Sequence, residues 1–522
     1  MRSGLRWSGV GALIGVLAAA AALGIGEMVA AFVRPEASPV IAVGNRLIIA
    51  TPESIKRWAI REFGTGDKDA LLTGIYVFVA LFAIGVGVLA IRHLLYGLVG
   101  IGVFAGIGCY CALSANASRG TDIVPTLVGA VVAGVIMVAL LRMAAPRADQ
   151  IGPPEPAESI GPLLGDRRRF LAGSVATAGL AAIAGFGGRA TQHARFDVSE
   201  ARAEIVLPTP TVSEAASAPL TGNDLGISGV RWDTPNSAFY RVDTALAVPQ
   251  IQPNDWKLRI HGMVDHELTL TYEQLTALPL IERWITLCCV SNEVGGGLIG
   301  NAKFLGARLA DVLKQVGVHP DADQLVLSSS DGMTIGTPTA VVMDGRDALI
   351  AIGMNGVPLP IEHGFPARIV VPGLYGYVSA CKWVVDIEAT TYGNQAAYWA
   401  RGGWAARTDI KLESRIDTPH SGGTVVVGEP VPIAGIAWDQ HVGVSTVEVQ
   451  VDGGPWQDAR LATVPSTDTW RQWVLMWTPP SAGSYVLRVR ATDASGQVQT
   501  SATADPYPSG ATGLHAITVR AR

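Results

Sequence analysis

Charged residues are scarce in this sequence. Only 16% of its 522 residues are Asp, Glu, Lys or Arg, against about 25% in an average soluble protein. Hydrophobic residues make up 49% and the mean hydropathy is +0.32, a composition that excludes a disordered chain and favours membrane segments. The net charge of −5 comes without a basic face or a long run of one sign, which excludes nucleic-acid binding. The length allows about three or four folded units.

Histidine and cysteine are also few. His93 is the only histidine in residues 1–192, so this part of the chain cannot hold a haem between two histidines. The five cysteines are Cys109, Cys111, Cys288, Cys289 and Cys381. The first two fall in an apolar run, where small residues pack helices together. The last three cannot all be paired within the chain and have no zinc-like spacing, so at least one thiol stays free to bind a soft or high-valent metal.

Long apolar runs fill the first third of the chain. Four of them are long enough to cross a bilayer as helices, and they cover residues 9–32, 71–91, 94–113 and 123–141. The sequence therefore predicts a four-helix transmembrane domain over residues 1–145. A shorter run at 170–187, rich in Ala and Gly, follows a Pro-rich stretch. Residues 146–190 are accordingly predicted to be a cytoplasmic linker and a fifth transmembrane or twin-arginine-like segment.

The basic residues bear on the orientation of these helices. Arginines between the fourth and fifth runs put that loop in the cytoplasm by the positive-inside rule, so the chain after about residue 188 is predicted to face outward. The loop at 33–70 carries basic residues on the opposite side. An interfacial helix over residues 51–63, with Thr51 as N-cap, would place some of those charges at the lipid headgroups.

The segment DRRRFL at residues 166–171 resembles a twin-arginine export signal, which serves folded proteins that already hold a cofactor. An ordinary basic stop before a transmembrane helix explains the same residues equally well. No clean small-residue cleavage site follows, so we expect the segment to remain as an anchor.

The rest of the chain changes character twice. Residues 191–229 form a predicted external linker, and residues 230–405 mix strand-like alternation, as at Trp256, Leu258 and Ile260, with helical segments such as 306–316. This is an α+β pattern. Residues 410–522 contain short alternating strands with hairpin turns, such as VEVQV before Asp-Gly at 447–453, and predict an immunoglobulin-like β-sandwich.

Two blocks of the α+β region carry a family resemblance. Residues 284–296, WITLCCVSNEVGG, and the following GARLADVL at 306–313 resemble the molybdenum-cysteine segment of the sulfite oxidase family. The second block, MNGVPLP at 354–360 and HGFPAR at 363–368, is similar to that family's pterin-binding stretch. With the sandwich, which resembles the family's dimerisation domain, the likeness covers about residues 225–520.

The resemblance implies roles for individual residues. Cys289 is then the thiolate ligand of molybdenum, whose other ligands are the dithiolene of molybdopterin and oxygen atoms. His363, Arg368 and Lys382 match positions that hold the pterin and its phosphate, for which their donors are suited. Asn292 belongs to the same cofactor-binding set. Without the resemblance, Arg368 and Lys382 also fit an edge strand and a solvated strand.

Two departures from the family pattern concern the substrate. Trp404 stands where sulfite oxidases have an active-site tyrosine, and an indole cannot exchange a proton as a phenol can. Residues 239–246 lack the family's Arg-Asn-His run, although Arg241 lies two residues from the place expected for the arginine. We therefore hold Arg241 and Trp404 as catalytic candidates, with Tyr240 as a weaker one, and expect sulfite to be a poor substrate.

Together these features predict a multi-pass cell-membrane protein with an external molybdopterin-dependent oxidoreductase domain that performs two-electron oxygen-atom transfer. It would act on a small-molecule substrate and exchange electrons with a separate partner such as a cytochrome or a quinone-linked protein. The sandwich leaves a homodimer open. An S-oxide or N-oxide reductase of the same fold, or a catalytically silent surface adhesion or assembly protein, are the alternatives.

Overall fold

The computed structural model describes residues 2–63, 66–115, 118–144, 161–213, 225–227 and 229–522. These residues divide into two compact units. The first comprises Met1–Asp197 with Thr244–Val248, and the second comprises Val198–Asp243 with Pro249–Arg522. The Pro-rich linker predicted within residues 146–190 lies largely outside the described residues.

The first unit is helical. Its helices are α1 (Arg2–Val33), α2 (Pro39–Ala50), α3 (Glu53–Phe63), α4 (Asp67–Arg92), α5 (Leu94–Leu113), α6 (Val124–Ala144) and α7 (Gly161–Phe196). Within the described residues, α1 and α4 to α7 are long and apolar enough to cross a membrane. The five apolar runs from which transmembrane helices were predicted lie within these helices to within one residue.

Close packing around α1 holds this bundle together. A side chain at Gly15 of α1 would collide with the carbonyl oxygen of Ala83 on α4, and one at Gly24 would collide with the carbonyl oxygen of Ala181 on α7. Glycine at these two positions lets the helix backbones touch, as expected where lipid provides no hydrophobic drive for association.

Buried polar residues close one end of the bundle. Glu27 of α1 is 8% exposed and accepts hydrogen bonds from Ser38 Oγ (2.6 Å) and Gln192 Nε2 (3.1 Å). Arg34, just after α1, forms an ion pair with buried Asp122 just before α6. Both acidic side chains thus have hydrogen-bond partners within the bundle, as buried polar groups require.

The helix α3 differs from the others because one of its faces is polar. Its apolar side chains Ile55, Trp58 and Phe63 are exposed, which fits the predicted interfacial helix. The prediction that Thr51 is its N-cap is wrong. The helix starts at Glu53, and the Thr51 hydroxyl donates to the carbonyl oxygen of Leu47 at the end of α2 (2.6 Å).

The second unit begins with α8 (Ser199–Ala203) and a mixed α+β region. Its strands are β1 (Val212–Ser213), β2 (Lys257–Gly262), β3 (Leu268–Thr271), β4 (Leu280–Cys288), β5 (Ile299–Arg308), β6 (Gln324–Ser329), β7 (Thr334–Pro338), β8 (Leu349–Met354), β9 (Val357–Pro358), β10 (Arg368–Val370) and β11 (Val384–Thr390). Its helices are α9 (Tyr272–Thr276), α10 (Leu309–Val316), α11 (Thr339–Val342) and α12 (Tyr398–Arg401).

Two sheets form this region. One has the strand order β1-β4-β5-β8-β10, with β9 paired to β8, and the other has the order β3-β2-β11-β6-β7. The predicted alternation is present, since Trp256, just before β2, and Leu258 and Ile260 within it are all buried. The strands β4 and β5 pair antiparallel from Leu280 to Cys288, and the chain that follows β4 carries the candidate metal ligand.

The remainder of the second unit is a β-sandwich of two sheets. Its strands are β12 (Glu413–Thr418), β13 (Thr424–Val425), β14 (Val431–Trp438), β15 (Val444–Val451), β16 (Trp456–Asp458), β17 (Arg460–Leu461), β18 (Arg471–Trp477), β19 (Gly483–Asp493) and β20 (Ala516–Ala521). The sheet orders are β12-β14-β18-β17 and β13-β20-β19-β15-β16. Positive φ angles at Asp452 and Gly453 make the predicted tight turn after β15.

Candidate active site

Cys289 is the first residue after β4. The strand is buried along its second half, and Cys289 itself is 7% exposed. Its N–H donates to the carbonyl oxygen of Leu298 (2.9 Å), and its own carbonyl oxygen accepts from the N–H of Asn292 (3.0 Å). The sheet and a tight turn therefore fix the position of this thiol.

The two adjacent cysteines have different surroundings. Burial raises the pKa of Cys289, but hydrogen bonds from the backbone and the side chain of Ser291 act in the opposite direction and favour the thiolate. Burial raises the pKa of Cys288 well above its usual value, and the carboxyl of Glu413 raises it further. The electrostatics thus suit Cys289, rather than Cys288, to binding a metal as a thiolate.

Asn292 presents an unused donor in the same turn. Its side chain is 2% exposed, and its Oδ1 accepts from the N–H of Leu298 (2.8 Å). Among the described residues, its Nδ2 has no hydrogen-bond partner. A buried amide N–H₂ without a partner is costly, and it fits a ligand with acceptor atoms.

The three other predicted cofactor contacts meet around Gly364. This glycine has φ +109, and a Cβ there would lie 3.0 Å from Cβ of Arg368 and 3.1 Å from Cα of Lys382. His363 precedes it, and its carbonyl oxygen accepts a hydrogen bond from Arg368 Nη1 (3.1 Å). A glycine with positive φ therefore lets the segments carrying Arg368 and Lys382 approach each other.

This group of side chains is rich in buried positive charge. Burial lowers the pKa of Arg368 to about 10, and its Nε has no partner among the described residues. Burial lowers the pKa of Lys382 to about 8, against the opposing effect of Asp243. His363 has its pKa lowered to about 4 by burial and by Arg368, so it is neutral. A bound anion would supply the counter-charge that Arg368 lacks.

Arg241, a catalytic candidate, is engaged by a carboxylate. Its Nε donates to Asp243 Oδ2 (2.8 Å), and Lys382 Nζ donates to the same oxygen (2.6 Å). The Arg241 side chain is 37% exposed, whereas that of Asp243 is 5% exposed. Asp243 therefore links a predicted catalytic residue to a predicted cofactor-binding one.

Tyr240 connects the two parts of the site. A Cβ at Gly376 would lie 3.6 Å from the carbonyl oxygen of Cys288 and 3.8 Å from Tyr240 Oη. Burial, with Cys289 and Cys288 nearby, raises the pKa of Tyr240 well above its usual value, and Arg368 opposes this rise. The phenol thus stays protonated between the cysteine turn and the cationic group.

Trp404 lies in an aromatic cluster. Its ring contacts those of Tyr377 (5.9 Å), Trp399 (6.2 Å) and Tyr507 (5.3 Å) between centroids. The side chain is 6% exposed, and its Nε1 has no hydrogen-bond partner among the described residues. These contacts explain its burial by packing, and its catalytic role stays a prediction.

Sequence reasoning missed two residues of the site. Ser291 was read only as part of a motif, and its donors to Cys289 depend on the turn. Asp243 is not among the predicted site residues, yet its carboxylate accepts from both Arg241 and Lys382. The signal in the sequence that could have revealed the ion pair of Arg241 with Asp243 is that the two residues lie only two positions apart.

These residues fit the cofactor that the family resemblance implies. Within the described residues, no group of three or more His, Cys, Asp or Glu side chains is placed to hold a metal ion. A metal at Cys289 would therefore need ligands from outside the protein, and a dithiolene provides them. The unbalanced charge of Arg368 and the unused donor of Asn292 suit a phosphate and a pterin.

Comparison with known proteins gives the family. Residues 245–399 match the family described as oxidoreductase molybdopterin binding domain, and residues 413–489 match a bacterial Ig domain. The first range includes Cys289, Asn292, His363, Arg368 and Lys382. The sulfane dehydrogenase SoxCD from Paracoccus pantotrophus has a solved structure that matches with a TM-score of 0.47 and 24% identity, covering 56% of this chain and 81% of that chain.

Curated relatives include sulfite oxidases. The mitochondrial sulfite oxidase of Drosophila melanogaster is 30% identical over 330 residues, which is 53% of this chain and 56% of that protein. The chain thus spans about half the length of the mitochondrial relatives that it matches. The sulfite oxidase of Gallus gallus is 30% identical over 318 residues, 52% of this chain and 68% of that protein. With two thirds of a sulfite oxidase covered at this identity, the chain belongs to the sulfite oxidase family of oxidoreductases, whose cofactor is molybdenum bound to molybdopterin.

Proposed function

We propose that this chain is a membrane-anchored oxidoreductase that carries out two-electron oxygen-atom transfer on a small molecule outside the cytoplasm. The proposal rests on two buried groups of the same region. Cys289 is a thiol with donors that favour its thiolate, and Arg368 is a cation with no ion-pair partner among the described residues. The first suits a metal and the second suits a phosphate. Electrons would pass to or from a separate partner, such as a cytochrome or a quinone-linked protein.

The molybdenum cofactor, when bound, supplies the oxygen-atom and two-electron chemistry. The chain's residues bind and orient it. Cys289 would hold the metal as a thiolate with hydrogen bonds from Ser291, and Arg368 and Lys382 would hold the phosphate with charge-assisted hydrogen bonds. The neutral His363 donates from Nε2 to the carbonyl oxygen of Asn236 (3.2 Å), which would leave Nδ1 as an acceptor for the pterin.

The chain also shapes the substrate side of the site. Tyr240 keeps its proton and so offers a hydrogen-bond donor beside the cysteine turn. The positive charge of Arg241 is shared with Asp243, which weakens any pocket for an oxyanion. We therefore propose that sulfite is a poor substrate.

The pairing of Arg241 with Asp243 also favours a second candidate function, the reduction of a neutral S-oxide or N-oxide. The test is kcat/KM for sulfite with an artificial electron acceptor, set beside S-oxide reduction with an artificial donor. Fast sulfite turnover that is lost in Arg241→Ala would contradict the weak oxyanion pocket. Reduction of S-oxides without sulfite turnover would support the second candidate.

Five apolar helices within the described residues support the membrane anchor, and the arginines between the fourth and fifth apolar runs support an external catalytic region. Replacing Arg167 and Arg168 with lysine keeps the positive charge while weakening twin-arginine recognition. Loss of export of a molybdenum-loaded protein in this double variant supports the export signal. Unchanged export supports the basic stop instead.

The sandwich is the proposed surface of a homodimer.

The proposal for the metal site is tested by two neighbouring variants. Purified wild-type protein should contain about one molybdenum per chain, because one protein thiolate is enough to hold the cofactor's metal. Cys289→Ser should abolish activity, whereas Cys288→Ser, which removes the adjacent buried thiol, should largely preserve it. The opposite behaviour of the two variants would transfer the ligand role to Cys288. A wild-type protein without molybdenum would refute the proposed function.

A further inference from the structure

A cavity lies inside the membrane unit, between α1, α4, α5 and α6. Its volume is about 80 Å³, and its walls include Ala22 of α1, Phe82 of α4, Phe104 of α5 and Thr126 of α6. Since one water needs only about 10–15 Å³, the cavity has room for a larger group. The lining is almost entirely apolar, so the group that fills it is itself mostly apolar.

Thr126 is the exception in this wall. Its side chain is 8% exposed, and among the described residues its Oγ1 has no hydrogen-bond partner. An unpaired hydroxyl at membrane depth is costly because no water is there to bind it. A ligand with an acceptor atom would remove that cost.

Two aromatic rings define the shape of the cavity. Phe82 and Phe104 both line it, and their rings stack with centroids 5.5 Å apart and planes 28° apart. Flat rings pack well against such aromatic walls. The acidic Glu27 does not compete for this role, because its carboxylate is already paired with Ser38 and Gln192.

We propose that this cavity binds the ring of a lipid-soluble quinone, whose carbonyl oxygen accepts a hydrogen bond from Thr126 Oγ1. A quinone is flat, dissolves in the bilayer and has an acceptor at the ring, whereas a lipid acyl chain would leave the Thr126 hydroxyl unpaired. The binding is inferred from the membrane unit alone. That the bound quinone is the electron partner rests on the proposed function.

The test uses the full chain in lipid nanodiscs and two ligands, decylubiquinone and decylbenzene, which has the tail and a ring without carbonyl oxygens. Bound ligand is counted after rapid gel filtration, with empty nanodiscs as background. Thr126→Val removes the hydroxyl at nearly constant shape, and Ala130→Phe fills the cavity that Ala130 lines. Val131→Phe is the matched control, because Val131 is the next residue of α6 and is 68% exposed.

Decylubiquinone should bind the wild-type protein. Its affinity for Thr126→Val should be roughly tenfold lower, because one hydrogen bond is lost. Its affinity for Ala130→Phe should be reduced at least as much. Val131→Phe should bind it as the wild type does. Equal binding of decylbenzene, or an equal loss in Val131→Phe, would overturn the inference.

Substrate turnover by the wild type with a soluble dye is measured separately. Dye-coupled turnover without quinone binding would refute the cavity's role and leave the proposed function standing. If a molybdenum-loaded protein binds quinone in a way that depends on Thr126 but shows no turnover, the quinone site stands and the proposed function is refuted.

Discussion

Arg368 carries a buried positive charge, and no carboxylate within the part of the chain that the structure describes forms an ion pair with it. Burial lowers its pKa to about 10, and its one described hydrogen bond from Nη1 goes to a backbone carbonyl, that of His363. Such a group makes the cofactor-free protein less stable and an anion-loaded protein more stable. The same residue therefore has opposite effects in the two states.

Replacing Arg368 with Met tests both effects. The cofactor-free variant should be more stable than the wild type, by as much as about 3 kcal/mol for the pKa displacement. Its affinity for the cofactor should fall about tenfold or more, because a charge-assisted hydrogen bond is lost. Thermal unfolding and molybdenum content measure the two. The control is Arg259→Met, an exposed partner of Glu267, and full cofactor retention in Arg368→Met would remove Arg368 from the site.

Glu413, the first residue of β12, is a buried acid on the sandwich side of the site. It is 3% exposed, and its Oε1 has no partner among the described residues. Burial raises its pKa to about 8, against the opposing effect of Lys411. The folded protein therefore binds this proton more tightly than the unfolded chain does. The stability that this proton contributes is complete below the unfolded pKa of about 4.5 and is lost as the pH rises through 8.

Glu413→Gln should remove that dependence on pH. Each pKa unit corresponds to about 1.4 kcal/mol, so at pH 9 the variant should be more stable than the wild type by roughly 2 to 5 kcal/mol. Near pH 4 the two should be similar. Denaturant unfolding followed by tryptophan fluorescence at several pH values gives the comparison, with the exposed Glu429→Gln as control. A wild type whose stability does not fall between pH 6 and 9 would contradict the argument.

Individual residues were predictable from the sequence to different degrees. His363, Arg368 and Lys382, which the family resemblance singles out, lie together around Gly364, and their role in holding the cofactor stays a prediction. The donors of Ser291 and the carboxylate of Asp243 were not foreseen. Both act through contacts that exist only once the turn after β4 and the segment before Thr244 have their folded shapes.

At the scale of elements, the turn after β4 is braced by the sandwich. Arg415 of β12 donates from Nη1 to the carbonyl oxygen of Gly296 (2.7 Å), and the N–H of Ile416 donates to His515 Nδ1 (3.0 Å). A Cβ at Gly295, which has φ +75, would collide with the His515 ring. The sandwich thus helps to position the turn that carries Cys289.

Arg415→Ala should therefore act on the metal site from a distance. The substitution removes a charged donor, and the loss of such a hydrogen bond costs about 1.5–3 kcal/mol. The turn should therefore be less firmly held, so that molybdenum is lost faster on dialysis. The matched control is Arg488→Ala, an exposed arginine of β19 in the same sandwich. If the two variants retain molybdenum equally well, the hydrogen bond from Arg415 to Gly296 has no role in holding the cofactor.

Helices and strands with a strong local sequence pattern were predictable. The bounds of strands that depend on pairing with a distant strand were not. The alternation at 447–451 and its turn lie within β15 and the residues after it. The predicted helical segment at 306–316 begins only at Leu309. Its first residues belong to β5, where Gly306 pairs with Ala351 of β8, a partner far along the chain that local periodicity does not reveal.

At the scale of the whole molecule, the proposed orientation places the second unit on the outer side of the membrane. An enzyme on the outer side would keep its thiols in an oxidising compartment, where a free cysteine is stable when it is buried or bound to metal. Cys288, Cys289 and Cys381 are all buried and unpaired, which is compatible with that location. The arginines at the start of α7 favour the same orientation by the positive-inside rule.

Reporter fusions test this orientation on the full chain. A reporter that is active only outside the cytoplasm should be active after residue 522 and inactive when inserted near Gly152, between the helices α6 and α7. A cytoplasmic reporter at the same two sites should give the reverse, which controls for expression. If the first reporter is active only near Gly152, the catalytic region lies in the cytoplasm, and the basic residues of the loop at 33–70, rather than those between the fourth and fifth apolar runs, set the topology.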